Sequence, residues 1–197
     1  MNIKILKIND FSHVNDLASL HAKNIIGKSS NIGVEFLSKI YQTFLQDKNI
    51  RIWILFHKGK AIGFLCGCIR NKEIYKKFLF KNFSFLFFLF LRNILNLSFI
   101  KNAYDLIILF LTAKNFSSGS SELLSIAISK NFRNKHYGKK LIRKLEFYLK
   151  KKNKKEYIVK LESNNKRAIN FYLSNKFKQT LKTNYPLYEV IYLKKKL

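Results

Sequence analysis

One proline and seven glycines in 197 residues leave no material for a flexible linker, and no repeat or low-complexity tract divides the chain. A single domain is therefore expected over residues 1–197, long enough to bury a core without disulfides. Cysteine is as scarce. Cys66 and Cys68 are the only two, and residues two apart in a strand share one face in a geometry that opposes a disulfide. No histidine stands at ligand spacing from them, so no metal is expected; buried thiols in a reducing compartment are the simpler reading. The opening MNIKILKIND lacks the apolar stretch of a signal peptide, which excludes secretion from the expectations and leaves a cytoplasmic protein. Acidic residues number 11 against 38 basic ones, for a formal charge of +27. Such charge draws anionic partners. Yet 32 of the cations are lysine, amid heavy use of Ile, Asn and Phe, a profile that nucleotide-composition bias also produces.

What is present is an alternation of strand and helix patterns. Ile3, Ile5 and Ile8 suit a short strand. Val14, Leu17, Ala18, Ala22 and Ile25 follow at helical spacing, with Ser12 as an N-cap candidate. The polar stretch 27–33 breaks that helix, and a second one carries Phe36, Leu37, Ile40, Tyr41, Phe44 and Leu45. Arg51–Phe56 and Ala61–Ile69 read as a hairpin. Farther on, Leu141, Ile142, Leu145, Tyr148 and Leu149 form a helical stripe, Tyr157–Leu161 a strand, Lys166–Asn175 a helix and Tyr188–Leu193 a last strand. His13, His21 and His57 have no nucleophile or metal spacing nearby and are read as structural or exposed.

Residues 74–115 fit least well. Their longest charge-free apolar run, Phe83–Leu91, is about half of what a spanning helix needs. Two readings remain open: a helical insertion folded onto a cleft or a partner chain, as in a homodimer, or an interfacial segment, residues 78–100, resting peripherally on a membrane. Lysines 76, 77, 81 and 101 around dense phenylalanine favour the second more than an ordinary core would.

The most informative stretch is ELLSIAISKNFRNKHYG, residues 122–138. Apolar residues stop at Ile128, a polar segment follows, and an amphipathic helix opens after Gly138. The N–H groups of a turn opening a helix have no intrahelical partner and point with the helix dipole at an arriving anion. Arg133, Lys135, Lys139 and Lys140 add charge there. Arg133, His136 and Gly138 stand at the spacing of the acetyl-coenzyme A fingerprint of the Gcn5-related N-acetyltransferases, the GNAT family. Asn165, Ala168, Tyr172 and Phe177 match that family's second signature. In this order, with a strand pattern between them, the two motifs make the chain resemble the family closely over residues 122–178 and in outline elsewhere.

The resemblance implies an α/β fold with a central mixed, mostly antiparallel sheet flanked by helices. It implies acetyl transfer from acetyl-CoA to a primary amine by direct attack, with a small-molecule amine as partner. The loop Arg133, Asn134, Lys135, His136, Tyr137, Gly138 and Lys139 would hold the pyrophosphate. The strand Ile126, Ala127 and Ile128 would splay from its neighbour and pair with the pantetheine arm, and an N–H near Ile126 would face the oxyanion. Asn165 would hydrogen-bond the pantetheine, against plain helix capping. Glu122, eleven residues before Arg133, would be the base, as in the histone-acetyltransferase branch. Its rival is Glu162, because Lys160 stands where the ribosomal-protein branch has its glutamate. Tyr172 would protonate the leaving thiolate. His136 replaces the first loop glycine, and Lys176 the glycine before Phe177, with Asn175 the candidate to end that helix in a left-handed turn. Relatives with a similar apolar insertion resemble enzymes of surface-polysaccharide assembly, which makes an amino sugar one acceptor. The competing class is a module that kept the fold and lost the chemistry, using its basic surface for nucleic acid or membrane; for the enzyme, nucleic acid is not an expected partner.

Overall fold

The computed structural model describes residues 2–6, 10–71, 74–112, 119–185 and 188–197. In chain order they form β1 (Asn2–Leu6), α1 (Val14–Asn24), α2 (Lys28–Ile32), α3 (Val34–Leu45), β2 (Ile50–His57) and β3 (Lys60–Cys68). Then come α4 (Ile74–Lys81), α5 (Phe83–Arg92), α6 (Leu97–Thr112), β4 (Glu122–Ile128), α7 (Tyr137–Lys151), β5 (Glu156–Glu162), α8 (Lys166–Ser174), β6 (Lys178–Tyr185) and β7 (Tyr188–Lys196).

The strands make one sheet in the order β1-β2-β3-β4-β5-β7-β6. Every neighbouring pair is antiparallel except β4 and β5. Alternation sends the two faces of β2 to different cores. Ile52 and Ile54 pack with Leu17, Leu37, Tyr41 and Phe64 under α1 and α3. Trp53 packs with Leu141, Leu145, Leu149 and Tyr157 under α7, where Tyr172 and Phe177 also join. Cys66 and Cys68 are both buried on the α1/α3 face as free thiols, which matches their spacing.

The insertion is helical and has a small core of its own, in which Phe78, Leu89, Phe99 and Leu106 gather on Phe36 of α3. Among the described residues no helix is long and apolar enough to cross a membrane.

Local expectations differ from the structure at a few points. Ser12 does not cap α1: its hydroxyl donates to Asp10, and a 3-10 turn at Phe11–His13 leads into the helix with His13 at the cap position. Ile8 lies outside the described residues. The polar stretch 27–33 is not only a break. It holds the one-turn helix α2, and Gly33 at φ 116° turns the chain into α3 in a conformation that suits glycine. Asn175 keeps ordinary torsions (φ −98°), and Lys176 takes the left-handed one (φ 67°).

Candidate active site

β4 is paired along β3 but touches β5 only at Glu122↔Ile158 and Leu123↔Val159. A bulge explains the parting: opposite Cys66 and Gly67, β4 places one residue too many, Leu124, and a bulged strand bends and twists away. Beyond it the edge of β4 facing β5 has no strand partner. Alternation decides which groups face that gap. Ser129 N–H donates to Ile62 at 2.8 Å, so Ala127 and Ser125, in the same phase, bond with β3. Ile126 and Ile128 therefore turn their N–H and C=O into the gap. Ala127 contributes only its flank, its side chain being core.

The gap opens into a cleft of about 1130 Å³ whose lining includes Glu122, Ile126, Arg133, Gly138, Asn165 and Tyr172. At the end of β4 a 3-10 turn, Lys130–Phe132, leads to the loop, where Asn134 (φ 60°) and His136 (φ 58°) are both left-handed. Turns of this kind aim successive N–H groups at one point, a concavity that suits anions. No side chain caps α7, so the N–H groups of Tyr137, Gly138 and Lys139 have no acceptor within the helix. A Cβ on Gly138 would lie 2.9 Å from Phe171 Cζ; glycine is needed here because α7 and α8 meet at this residue.

The loop's charged side chains divide their roles. Lys135 and Lys139 are exposed at the mouth. Arg133 is turned inward instead. Its Nε donates to Ile128 O at 2.9 Å and its guanidinium to Asn24 Oδ1 at 3.0 Å, tying the loop to β4 and α1. Burial, with Arg167 nearby, lowers its pKa. Arg133 thus positions the loop. Asn165 caps α8, its Oδ1 accepting from Ala168 N–H at 3.1 Å, so capping occupies the oxygen and leaves the amide nitrogen for the cleft.

Glu122 starts β4 with 2% of its surface exposed. Asn71 Nδ2 donates to its Oε2 at 2.6 Å, and Lys160 Nζ lies 3.2 Å from the same oxygen. The lysine that stands in place of a glutamate is thus the counter-ion of Glu122. Tyr172 is buried between Phe171 and Phe177, its ring centroid 5.3 and 5.1 Å from theirs, and burial pushes its phenol well up. Glu162 is half-buried at the other end of β5; burial raises its pKa, Lys28 lowers it and Asp105 raises it.

Sequence reasoning missed the opposite wall. His21, taken as structural or exposed, is buried and lines the cleft. Its Nδ1 sits 2.7 Å from Tyr41 Oη, which lies 3.1 Å from Ser125 Oγ on β4. Burial lowers the His21 pKa to about 4, so the ring is neutral near pH 7. Beside it, Lys28 of α2 pairs with buried Asp105 of α6 at 2.6 Å, and Asn31 donates to Asn102 at 3.3 Å. The insertion therefore closes this wall, with Leu106 in the lining. No local pattern announces these partners, since each pair joins distant parts of the chain.

A family model described as the acetyltransferase (GNAT) family matches residues 29–177. No curated protein matches the chain. Similar solved structures include the PaiA N-acetyltransferase of Thermoplasma acidophilum in complex with coenzyme A, at 17% identity and TM-score 0.59 over 100% of both chains. The ribosomal-protein-alanine N-acetyltransferase of Brucella melitensis is similar at 14% identity and TM-score 0.60, again over 100% of both. The ribosomal-protein-S18-alanine N-acetyltransferase of Escherichia coli is similar at 15% and 0.55, over 99% of this chain and 92% of that one. These identities speak for the fold alone. The family model, however, spans well over half of the sequence and includes the bulged strand, the loop at 133–139 and both helices around Gly138. The chain belongs to the acetyltransferase (GNAT) family, and is an N-acetyltransferase.

Proposed function

We propose that the chain moves an acetyl group from acetyl-CoA to a primary amine by direct transfer in the cytoplasm. The observation that carries this reading is the continuity of the unpaired edge of β4 with the uncapped start of α7. One extended, amide-bearing arm ending in phosphates fits both at once, the arm as a missing strand and the phosphates on the loop. The N–H and C=O of Ile126 would pair with that arm, and the exposed Lys135 and Lys139 would offset phosphate charge.

In the reaction the amine nitrogen bonds to the thioester carbonyl carbon, the C–S bond breaks, the nitrogen loses a proton and the sulfur gains one. An Ile126 N–H aimed into the gap suits the charge that develops on the carbonyl oxygen. Glu122, whose Oε2 is bonded to Lys160 and Asn71, would take the amine's proton directly or through water. Tyr172 would return a proton to sulfur, its raised pKa keeping the phenol protonated at neutral pH. Glu162 is the second base candidate, because burial favours its proton-bound form and it stands on the acceptor side.

An amino sugar is the acceptor we attach to this wall, whose polar lining includes Ser29 and Glu162. The role we attach to it is surface-polysaccharide assembly. A catalytically lapsed module would draw support from His136 and Lys160. Both are accommodated, His136 by taking the left-handed turn and Lys160 by pairing with Glu122.

The test is calorimetric titration with acetyl-CoA, followed by a thiol-release screen over amino sugars, polyamines and peptide N-termini. Saturable binding with thiol release on an amino sugar is expected. Binding without release on any amine would refute transfer, and release on peptides alone would move the acceptor class.

A further inference from the structure

Two helices are built in opposite ways. In α7, Leu141, Ile142, Leu145 and Leu149 are buried while Arg143 and Lys144 face water. In α5, Leu89 is buried and Phe85 packs on the insertion's core, while Phe83 is 70% exposed, Phe87 50% and Phe88 69%. The ring of Phe87 lies 6.4 Å from that of Phe83 and 6.1 Å from that of Phe88, and Phe80 (83%), Leu95 (94%) and Leu97 (81%) of the same insertion are exposed as well. With roughly 200 Å² for a large apolar side chain, these six present on the order of 900 Å².

We propose that this face of the helical insertion docks the enzyme on an anionic lipid bilayer. Charge selects the occupant. Residues 74–104 contain no Asp or Glu but hold Lys76, Lys77, Lys81, Arg92 and Lys101. Lys77 and Arg92 are paired with Asp47 and Glu35 of α3, and Lys81 is bonded to Gln46. A second copy of the chain, itself at a formal +27, would bring net positive charge against this face, and like charges oppose such a seam. An anionic headgroup layer offers the opposite sign, and the acyl boundary takes the phenylalanines. Ten residues of α5 span about 15 Å, half of a bilayer core, so the helix lies in the interface. Docking would hold the acceptor wall close to lipid, because Leu106 of the same insertion lines the cleft.

The test is co-sedimentation of the full chain with vesicles of phosphatidylcholine and phosphatidylglycerol in a 3:1 ratio, and with phosphatidylcholine alone, at low and high salt. Wild type should sediment with the mixed vesicles, less so at high salt, and far less with neutral lipid. Phe83→Ser with Phe88→Ser keeps every charge and should lower binding at least tenfold while acetyl-CoA affinity stays unchanged. If the double variant binds as wild type does, the chain's charge alone is responsible and the docking face is refuted. Indifference of wild type to vesicles refutes it too. A concentration-dependent dimer in sedimentation velocity, abolished by the same pair in a protein that ignores lipid, would assign the face to a second copy. Loss of acetyl-CoA binding in the wild type would count against the transferase reading without touching this result.

Discussion

The two sides of the cleft are made differently. The side to which we assign the donor, β4, the loop and the facing ends of α7 and α8, offers mostly backbone groups from residues 122–177, positioned by a bulge, a glycine and an uncapped helix. The acceptor side offers side chains brought together from far apart: Tyr41 meets Ser125 across 84 positions and Asn31 meets Asn102 across 71. Recognition of a constant donor through backbone leaves a short, ordered trace in sequence. Recognition of a particular acceptor through distant side chains leaves none.

The largest expected effect lies where the sides meet. Tyr172→Phe should lower kcat by roughly 10²- to 10⁴-fold, the usual scale for loss of a positioned acid, with acetyl-CoA affinity held. Glu122→Gln should do the same, but it also strands the Lys160 ammonium, and breaking a buried pair costs about 3–5 kcal/mol. The variant that joins Glu122→Gln to Lys160→Met removes that penalty; if it regains stability but not turnover, the base role stands. Should Glu162→Gln alone abolish the acidic limb of the pH–rate profile, the base belongs to the acceptor side.

His21 gives the acceptor side its own signature. In the fold it stays neutral down to about 4, while the unfolded chain protonates it near 6.5. Between those values the unfolded state binds the extra proton, so stability falls as pH drops from 6.5 towards 4 and is unaffected above. Over that window the loss is about 3 kcal/mol. His21→Gln should flatten this limb in denaturant titrations relative to wild type; a limb unchanged in the variant would mean the ring is not the group responsible.

On the donor side, Gly138→Ala forces Phe171 aside, an overpacking that typically costs about 1–3 kcal/mol, and should weaken acetyl-CoA binding roughly tenfold. Adding Phe171→Ala should restore part of the affinity, and simple additivity of the two changes would show that the helices do not meet there. The smallest effect concerns Lys176, exposed and left-handed at φ 67°. Lys176→Gly should raise thermal stability by about 1 kcal/mol, since a side chain is disfavoured in that region.

How far the sequence could be read follows the same division. Most of the order of strands and helices and the position of the loop at Arg133–Lys139 were legible, because hydrophobic period and turn chemistry are local. The parting of β4 from β5 came from the resemblance; the bulge at Leu124 that produces it has no pattern within its own strand. The inward turn of Arg133 was hidden because Asn24 lies 109 positions away. So was the pairing of Glu122 with Lys160, which joins the start of β4 to β5 across 38 positions. β6 escaped notice, since KQTLKTNY has few apolar residues and sits at the sheet's outer edge, against β7 alone. The left-handed turns at His136 and Lys176 fall where glycine was expected, so torsion was inherited there although the residue was not.

Amide hydrogen exchange, followed residue by residue with and without acetyl-CoA, tests the central claim most directly. The account predicts new protection at Ile126 and at Tyr137, Gly138 and Lys139, with α4 and α5 unchanged, because the donor is expected to complete the edge of β4 and to occupy the free N–H groups of α7. Saturating acetyl-CoA that leaves those amides as they were, or protects the insertion instead, would contradict it.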